Sequence, residues 1–98
     1  MRVISRKRLR EFWEKHPDSK TELEAWFKTA SKASWRDITE VRKSYRHADA
    51  VGTCTVFNVR QNRFRLITKI EYRIQRIYIK SVLTHAEYDR KEWKGGCR

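Results

Sequence analysis

Between Phe57 and Lys80 the chain sets seven cations, Arg60, Arg63, Arg65, Lys69, Arg73, Arg76 and Lys80, against one acid, Glu71. So many positive side chains in one stretch suit a polyanion. Arg65 is the first choice for a phosphate clamp, because a planar guanidinium holds two oxygens at once. Lys69, two positions further along the same strand face, adds a second charge. Downstream stand His85, Tyr88 and Asp89. An imidazole titrates near neutral pH and can give or take a proton. Tyr88, one helical turn on, can stack on a base or share the proton transfer, and Asp89 can orient a cation or the histidine. Arg60, Arg63, Lys80 and Asp89 complete the surface assigned to binding. Each residue also has a plainer reading: solvated charge on an open sheet for the cations, a helix cap or strand-end contact for His85, a core or interface aromatic for Tyr88.

Strands must carry this set. Val56–Arg60, Arg63–Tyr72 and Ile77–Thr84 are rich in branched and aromatic residues, and the Gln61-Asn62 pair sits where a hairpin needs residues tolerant of positive φ. Alternation along the middle strand puts Phe64, Leu66, Thr68, Ile70 and Tyr72 on one face. Arg63, Arg65, Ile67, Lys69, Glu71 and Arg73 fall on the other. The first set is predicted to pack on helices, the second to face solvent. A short strand at Arg2–Ser5 comes first, with Ser5 as a helix cap. Leu9, Phe12, Trp13 and His16 then make one apolar helix face, stopped by Pro17. Ser19 and Glu22 are spaced as a capping box for a second helix with Leu23, Trp26, Phe27 and Ala30 inward. Asp37 caps a third, with Glu40 reaching back and Ile38, Val41 and Tyr45 inward. Residues 46–52 read as a loop, and helical turns run from about His85 to Glu92. The expectation is an α+β fold, a helical hairpin on one face of a mostly antiparallel sheet, as one domain over residues 1–92 with a frayed tail at 93–98.

Composition narrows the partner class. In 98 residues, 24 Lys and Arg face 12 Asp and Glu, a formal charge of +12. Self-repulsion of that size points first to nucleic acid. A membrane surface fits less well, since no helix joins one basic face to one wholly apolar face. The basic N-terminus has no apolar run behind it and nothing is long enough to span a bilayer, so a cytoplasmic protein is expected. Cys54 lies in a strand and Cys97 in a Gly-rich tail, and both read as free thiols. No metal-ligand spacing occurs and no cofactor is implied. His16 and His47 read as structural or exposed, and Trp13, Trp26 and Trp35 as core.

The run Val56-Phe57-Asn58-Val59, then Asn62-Arg63-Phe64-Arg65-Leu66, then Val82-Leu83-Thr84-His85-Ala86-Glu87-Tyr88-Asp89 resembles the HigB family of toxin-antitoxin toxins, within the RelE-like group. Val3-Ile4-Ser5-Arg6-Lys7 and Ala33-Ser34-Trp35 extend the resemblance to nearly the whole chain. One departure is at the hairpin, where the family often has two glycines before the turn asparagine and this chain has Arg60 and Gln61. The resemblance implies an endoribonuclease that cuts mRNA in the ribosomal A site and is silenced by a cognate HigA-like antitoxin. Metal-free RNA cleavage would use the neighbouring 2′-hydroxyl as nucleophile, with a base for its proton, a cation for the phosphate and an acid for the leaving 5′-oxygen. Arg65, Lys69, His85 and Tyr88 are the candidates for those roles. A non-catalytic RNA-binding module would use the same basic sheet. A DNA-binding regulator would need a free reading helix, whereas these helices spend their apolar faces on the core.

Overall fold

Alternating strands and amphipathic helices segregate into two layers in the computed structural model, which describes residues 1–98. Five strands, β1 (Arg2–Ile4), β2 (Asp49–Val51), β3 (Cys54–Val59), β4 (Phe64–Glu71) and β5 (Arg76–Thr84), form one sheet in the order β1-β5-β4-β3-β2. Only the β1–β5 pair is parallel. Helices α1 (Arg6–Lys15), α2 (Lys20–Lys32) and α3 (Ile38–Ser44) precede the antiparallel strands, and α4 (His85–Asp89) follows β5.

The core lies between the sheet and the first three helices. Leu9, Trp13, Leu23, Trp26, Ala30, Trp35 and Val41 meet Phe57, Val59, Phe64, Leu66, Ile70, Ile77 and Ile79 in one buried cluster. Burying a single leucine such as Leu9 or Leu23 contributes about 1.5–3 kcal/mol. The inward set predicted for β4 is found there. Thr68 joins it by donating its hydroxyl to the Thr55 carbonyl at 2.8 Å, which satisfies a polar group with no access to water.

Several local expectations are corrected. Ser5 precedes α1 in an extended conformation but makes no side-chain cap bond. Ser19 is not a capping-box residue: Pro17–Ser19 form a 3-10 turn, and the buried Ser19 hydroxyl donates back to the His16 carbonyl. Glu22 is thereby free to accept the backbone N–H of Arg60 across the layers. Asp37 does cap α3, accepting from the Glu40 N–H at 3.0 Å, while Glu40 reaches back one residue further, to the N–H of Arg36. Residues 46–52 are not all loop. Asp49–Val51 pair with β3 through a tight Gly52-Thr53 turn in which Gly52 has φ +57.

The hairpin tip is also displaced by one residue from the expected Gln61-Asn62 pair. A four-residue loop, 60–63, joins β3 to β4, and the left-handed residues are Arg60 (φ 53) and Gln61 (φ 62). Neither position carries glycine, the residue that adopts this region without a Cβ clash. Asn62 is left to use its side chain instead.

The largest correction concerns the C-terminus. Residues Glu92–Cys97 are a 3-10 segment lying on the sheet face opposite the helices, not a frayed tail. Cys97 is buried with Cys54, Val56 and Ile67, and it forms a disulfide with Cys54. Neither cysteine is a free thiol. The segment doubles back over the sheet and brings the two Cα atoms within 5.1 Å, inside bridging range, which a separation of 43 residues did not reveal. No helix is long and apolar enough to cross a membrane.

Candidate phosphate-binding and proton-transfer site

Because the C-terminal segment covers the middle of the open sheet face, the cations there are sorted into separate groups. Ile67, between Arg65 and Lys69 on β4, is sealed under Cys97. Arg65 lies on the α4 side. Lys69 pairs with Glu71 at 3.4 Å and lines a different cleft, of about 470 Å³, with Arg8, Tyr78 and Lys80. Lys80 is the extra residue where the β4–β5 register shifts, and its ammonium donates to the Gly96 carbonyl at 2.8 Å. The structure therefore does not bring Lys69 or Lys80 together with Arg65.

Arg65 is not the solvated cation that alternation suggests. Only 9 % of the residue is exposed. Its guanidinium carbon sits 4.8 Å from the centroid of the Tyr88 ring, a cation–π contact. Nη1 donates to the Phe64 carbonyl at 3.3 Å and Nη2 to the Asn62 side-chain oxygen at 3.4 Å. The same Asn62 oxygen accepts from Asn58 at 3.5 Å. All of these partners are neutral. No carboxylate pairs with Arg65, whereas Lys69, the other cation of β4, pairs with Glu71, and three of the five Arg65 N–H donors have no protein acceptor. A guanidinium withdrawn from water without an opposite charge is costly unless an anion arrives to satisfy it.

Helix α4 supplies the proton-transfer candidates. Thr84, not His85, caps it: Glu87 N–H donates to the Thr84 hydroxyl at 3.3 Å, and the Thr84 N–H donates to Glu87 at 2.9 Å, a complete capping box. The backbone bond from Thr84 holds the Glu87 carboxyl below the usual carboxylate range. The His85 N–H donates to the Arg63 carbonyl at 3.0 Å, which fixes the start of α4 against the hairpin. The His85 ring is exposed, with Nδ1 3.0 Å from the Asp89 carboxylate one turn on. Asp89 thus sets a negative charge beside the ring, and an imidazole can accept a proton when neutral and donate one when charged. Tyr88 is partly buried between this helix and the C-terminal segment, its ring stacked on Trp93 at 4.9 Å and 14°.

The hairpin residues serve different ends. Arg63 reaches away from Arg65 to Asp18, at 2.9 Å, and so ties the hairpin to the α1–α2 connection. Arg60 lines a polar cleft of about 490 Å³ with Glu22, Gln61, Asn62 and Arg63. His16 is structural, stacked on Phe12, and His47 is exposed. Sequence reasoning missed Asn62, Asn58 and Trp93. A polar side chain three residues before Arg65 and an aromatic five after Tyr88 were visible, but only the folded hairpin and the returning C-terminus make them neighbours.

Comparison with known proteins follows the same outline. The sequence model of the HigB toxin, described as the RelE-like toxic component of a toxin-antitoxin system, matches residues 19–91. The chain is 33% identical over 92 residues to the "mRNA interferase toxin HigB" of Escherichia coli strain K12, a match covering 91% of this chain and 88% of that protein. Proteins named mRNA interferase HigB from Escherichia coli O157:H7 and Shigella flexneri match to the same extent.

Proposed function

The chain belongs to the HigB family of RelE-like toxins, and from that membership we propose that it is an endoribonuclease that cuts mRNA in the ribosomal A site and is silenced by a HigA-like antitoxin. The observation that carries the reading is Arg65, a nine-tenths buried residue whose guanidinium has no carboxylate partner, together with the exposed His85–Asp89 pair of α4. The first is poised for an anion and the second for a proton.

In the reaction we infer, the scissile phosphate enters against Arg65, whose free N–H groups bind its non-bridging oxygens. The 2′-hydroxyl on the 5′ side of the cut loses its proton and attacks phosphorus. Negative charge then grows on those oxygens, where the fixed guanidinium stabilises it more than in the ground state. The P–O5′ bond breaks, the 5′-oxygen takes a proton, and the upstream fragment ends in a 2′,3′-cyclic phosphate. His85 moves one of the two protons, with the Asp89 carboxylate 3.0 Å from its Nδ1. Tyr88 holds the guanidinium in place through its ring face, and its hydroxyl is the second candidate for proton transfer. No metal takes part in this scheme.

Lys69, Lys80 and Arg60, lying away from the reacting phosphate, contribute to holding RNA of the message or the ribosome. An excess of twelve positive charges favours that encounter. The reaction takes place in the cytoplasm, where message, ribosome and antitoxin meet.

The test is cleavage of a ribosome-bound message carrying a single 2′-deoxy sugar at the cut position. The ribose message should be cut to a cyclic phosphate and the deoxy message left intact. Equal binding of both messages with neither cut would establish a non-catalytic RNA-binding module instead.

A further inference from the structure

The C-terminal segment is attached to the proposed site at one end and to a disulfide at the other. At the site end, Trp93 stacks on Tyr88 and its indole N–H donates to the Tyr88 carbonyl at 2.9 Å. Tyr88 in turn carries the Arg65 guanidinium. At the far end, Cys97 is bonded to Cys54 of β3, and its carbonyl accepts the Thr53 N–H at 2.6 Å. Gly52 makes this approach possible. A Cβ there would lie 1.8 Å from the Cys97 carbonyl oxygen, and its φ of +57 already favours glycine. The turn between β2 and β3 is thus shaped to receive the segment. Between the two ends stand Gly95 and Gly96, both exposed, and Lys80 bonded to the Gly96 carbonyl.

Without the disulfide the segment would be held by the Trp93 stack and three hydrogen bonds, from Trp93 to Tyr88, from Lys80 to Gly96 and from Thr53 to Cys97. Its helical turn is 3-10, it is terminal, and two adjacent glycines maximise the conformational freedom gained on release.

We propose that Trp93 is a positioning residue for the Arg65–Tyr88 pair, and that the Cys54–Cys97 disulfide makes this support redox-sensitive, so that a dithiol reductant lowers cleavage by releasing the segment. The inference rests on the catalytic role given above to Arg65 and Tyr88. Chemically, a thiolate of the reductant attacks one sulfur of the disulfide, forming a mixed disulfide and expelling the other cysteine as thiolate. The reductant's second thiolate then attacks its own sulfur in the mixed bond. The products are two protein thiols, after protonation, and the oxidised, cyclised reductant. Both protein sulfurs are buried, so attack requires the segment to open locally, which a terminal 3-10 turn permits. Once reduced, the segment loses its anchor at the far end and opens more often, Trp93 spends less time on Tyr88, and the guanidinium is less firmly held by the ring that fixes it.

The experiment uses the full-length protein, oxidised and after reduction with dithiothreitol, in single-turnover cleavage of ribosome-bound message. NMR of the Tyr88 ring, the Trp93 indole N–H and the Arg65 Nε–H follows the same samples. The inference predicts a loss of about threefold to tenfold in the maximal rate on reduction, the scale of one aromatic pair, with ribosome affinity unchanged. Tyr88 and Arg65 signals should shift, and exchange of the Trp93 indole proton should quicken. Trp93→Leu, which leaves the disulfide intact, should lower the rate to a similar degree in the oxidised protein and blunt the effect of dithiothreitol, while Trp93→Phe, which keeps a stacking ring, should retain most of the rate. Cys97→Ser should behave as the reduced protein and ignore the reductant. Oxidised, reduced and Trp93→Leu proteins that cut at rates within twofold of one another, or Tyr88 and Arg65 signals that stay in place on reduction, would overturn it. If no form cuts the message, the enzymatic reading has failed, and the NMR comparison alone decides whether the segment supports the pair.

Discussion

Replacing Arg60 and Gln61 with glycines should stabilise the fold. Both residues sit in the left-handed region, at φ 53 and 62. That conformation costs a residue bearing a Cβ about 1–2 kcal/mol. Glycine removes this cost but brings an unfolded-state entropy penalty of roughly 0.5–1 kcal/mol. The difference is about 0–1.5 kcal/mol at each position, and since adjacent residues of one turn need not add, the two single variants are measured beside the double variant. Neither side chain is buried, and the bond from Glu22 goes to the Arg60 backbone N–H, which glycine keeps. For a domain of this size 1 kcal/mol corresponds to about 4–8 °C in Tm. Thermal and urea unfolding of the double variant should therefore show a higher midpoint with an unchanged urea m-value. A midpoint at or below that of the parent would refute the strain argument and mean that the Arg60 or Gln61 side chain stabilises the tip by more than the backbone loses.

Other perturbations address the site and its supports. Folded His85→Gln keeps polarity but has no titrating proton, so single-turnover cleavage should fall by roughly a hundredfold or more; cleavage at the parent rate would leave Tyr88 as the proton carrier. The lowered pKa of Glu87 means its carboxylate stabilises α4 fully above the unfolded carboxylate pKa, and this stability is lost as pH falls through the lower folded value. The protection factor of the Glu87 amide, its exchange relative to the intrinsic rate at the same pH, should accordingly fall on acidification and change less in Glu87→Gln; equal acid sensitivity in both would remove the capping box as its cause. Burial raises the Tyr45 hydroxyl, so the stability it contributes is complete below the unfolded tyrosine pKa and disappears as pH rises through the folded value. Tyr45→Phe should flatten alkaline unfolding in that range. Closing the loop from Cys54 to Cys97 should contribute on the order of 4 kcal/mol by chain entropy, a loss measurable by urea unfolding with and without dithiothreitol.

How much of this was legible in the sequence depends on the range of the forces involved. The three helices, the central strands and the inward face of β4 follow from periodicity, a local property. The Asp37 cap and the turn spacing of His85, Tyr88 and Asp89 are equally local. Ser19 and Glu22 had the right spacing for a capping box, but Pro17 tightened the connection into a 3-10 turn and tertiary contact with Arg60 claimed Glu22. The open face of β4 was read as solvated because alternation says which side a residue takes and nothing of what covers it. The returning C-terminus buries Ile67, shelters Arg65 through Trp93 and Tyr88, and separates Arg65 from Lys69. The disulfide was missed for the same reason: two cysteines in unlike settings meet only after the chain has folded back.

The central claim is that Arg65 stabilises charge that appears only in the transition state. It is tested most directly by single-turnover cleavage and ribosome binding measured side by side for the parent, Arg65→Ala and Arg65→Lys proteins, each first shown to fold. The account predicts that Arg65→Ala loses about a hundredfold or more in cleavage while ribosome affinity, spread over the other cations, falls far less. Arg65→Lys should recover only part of the rate, because an ammonium cannot make the two-pronged contact. A folded Arg65→Ala protein that cuts ribosome-bound message at the parent rate, or loses binding and cleavage in equal measure, would contradict it.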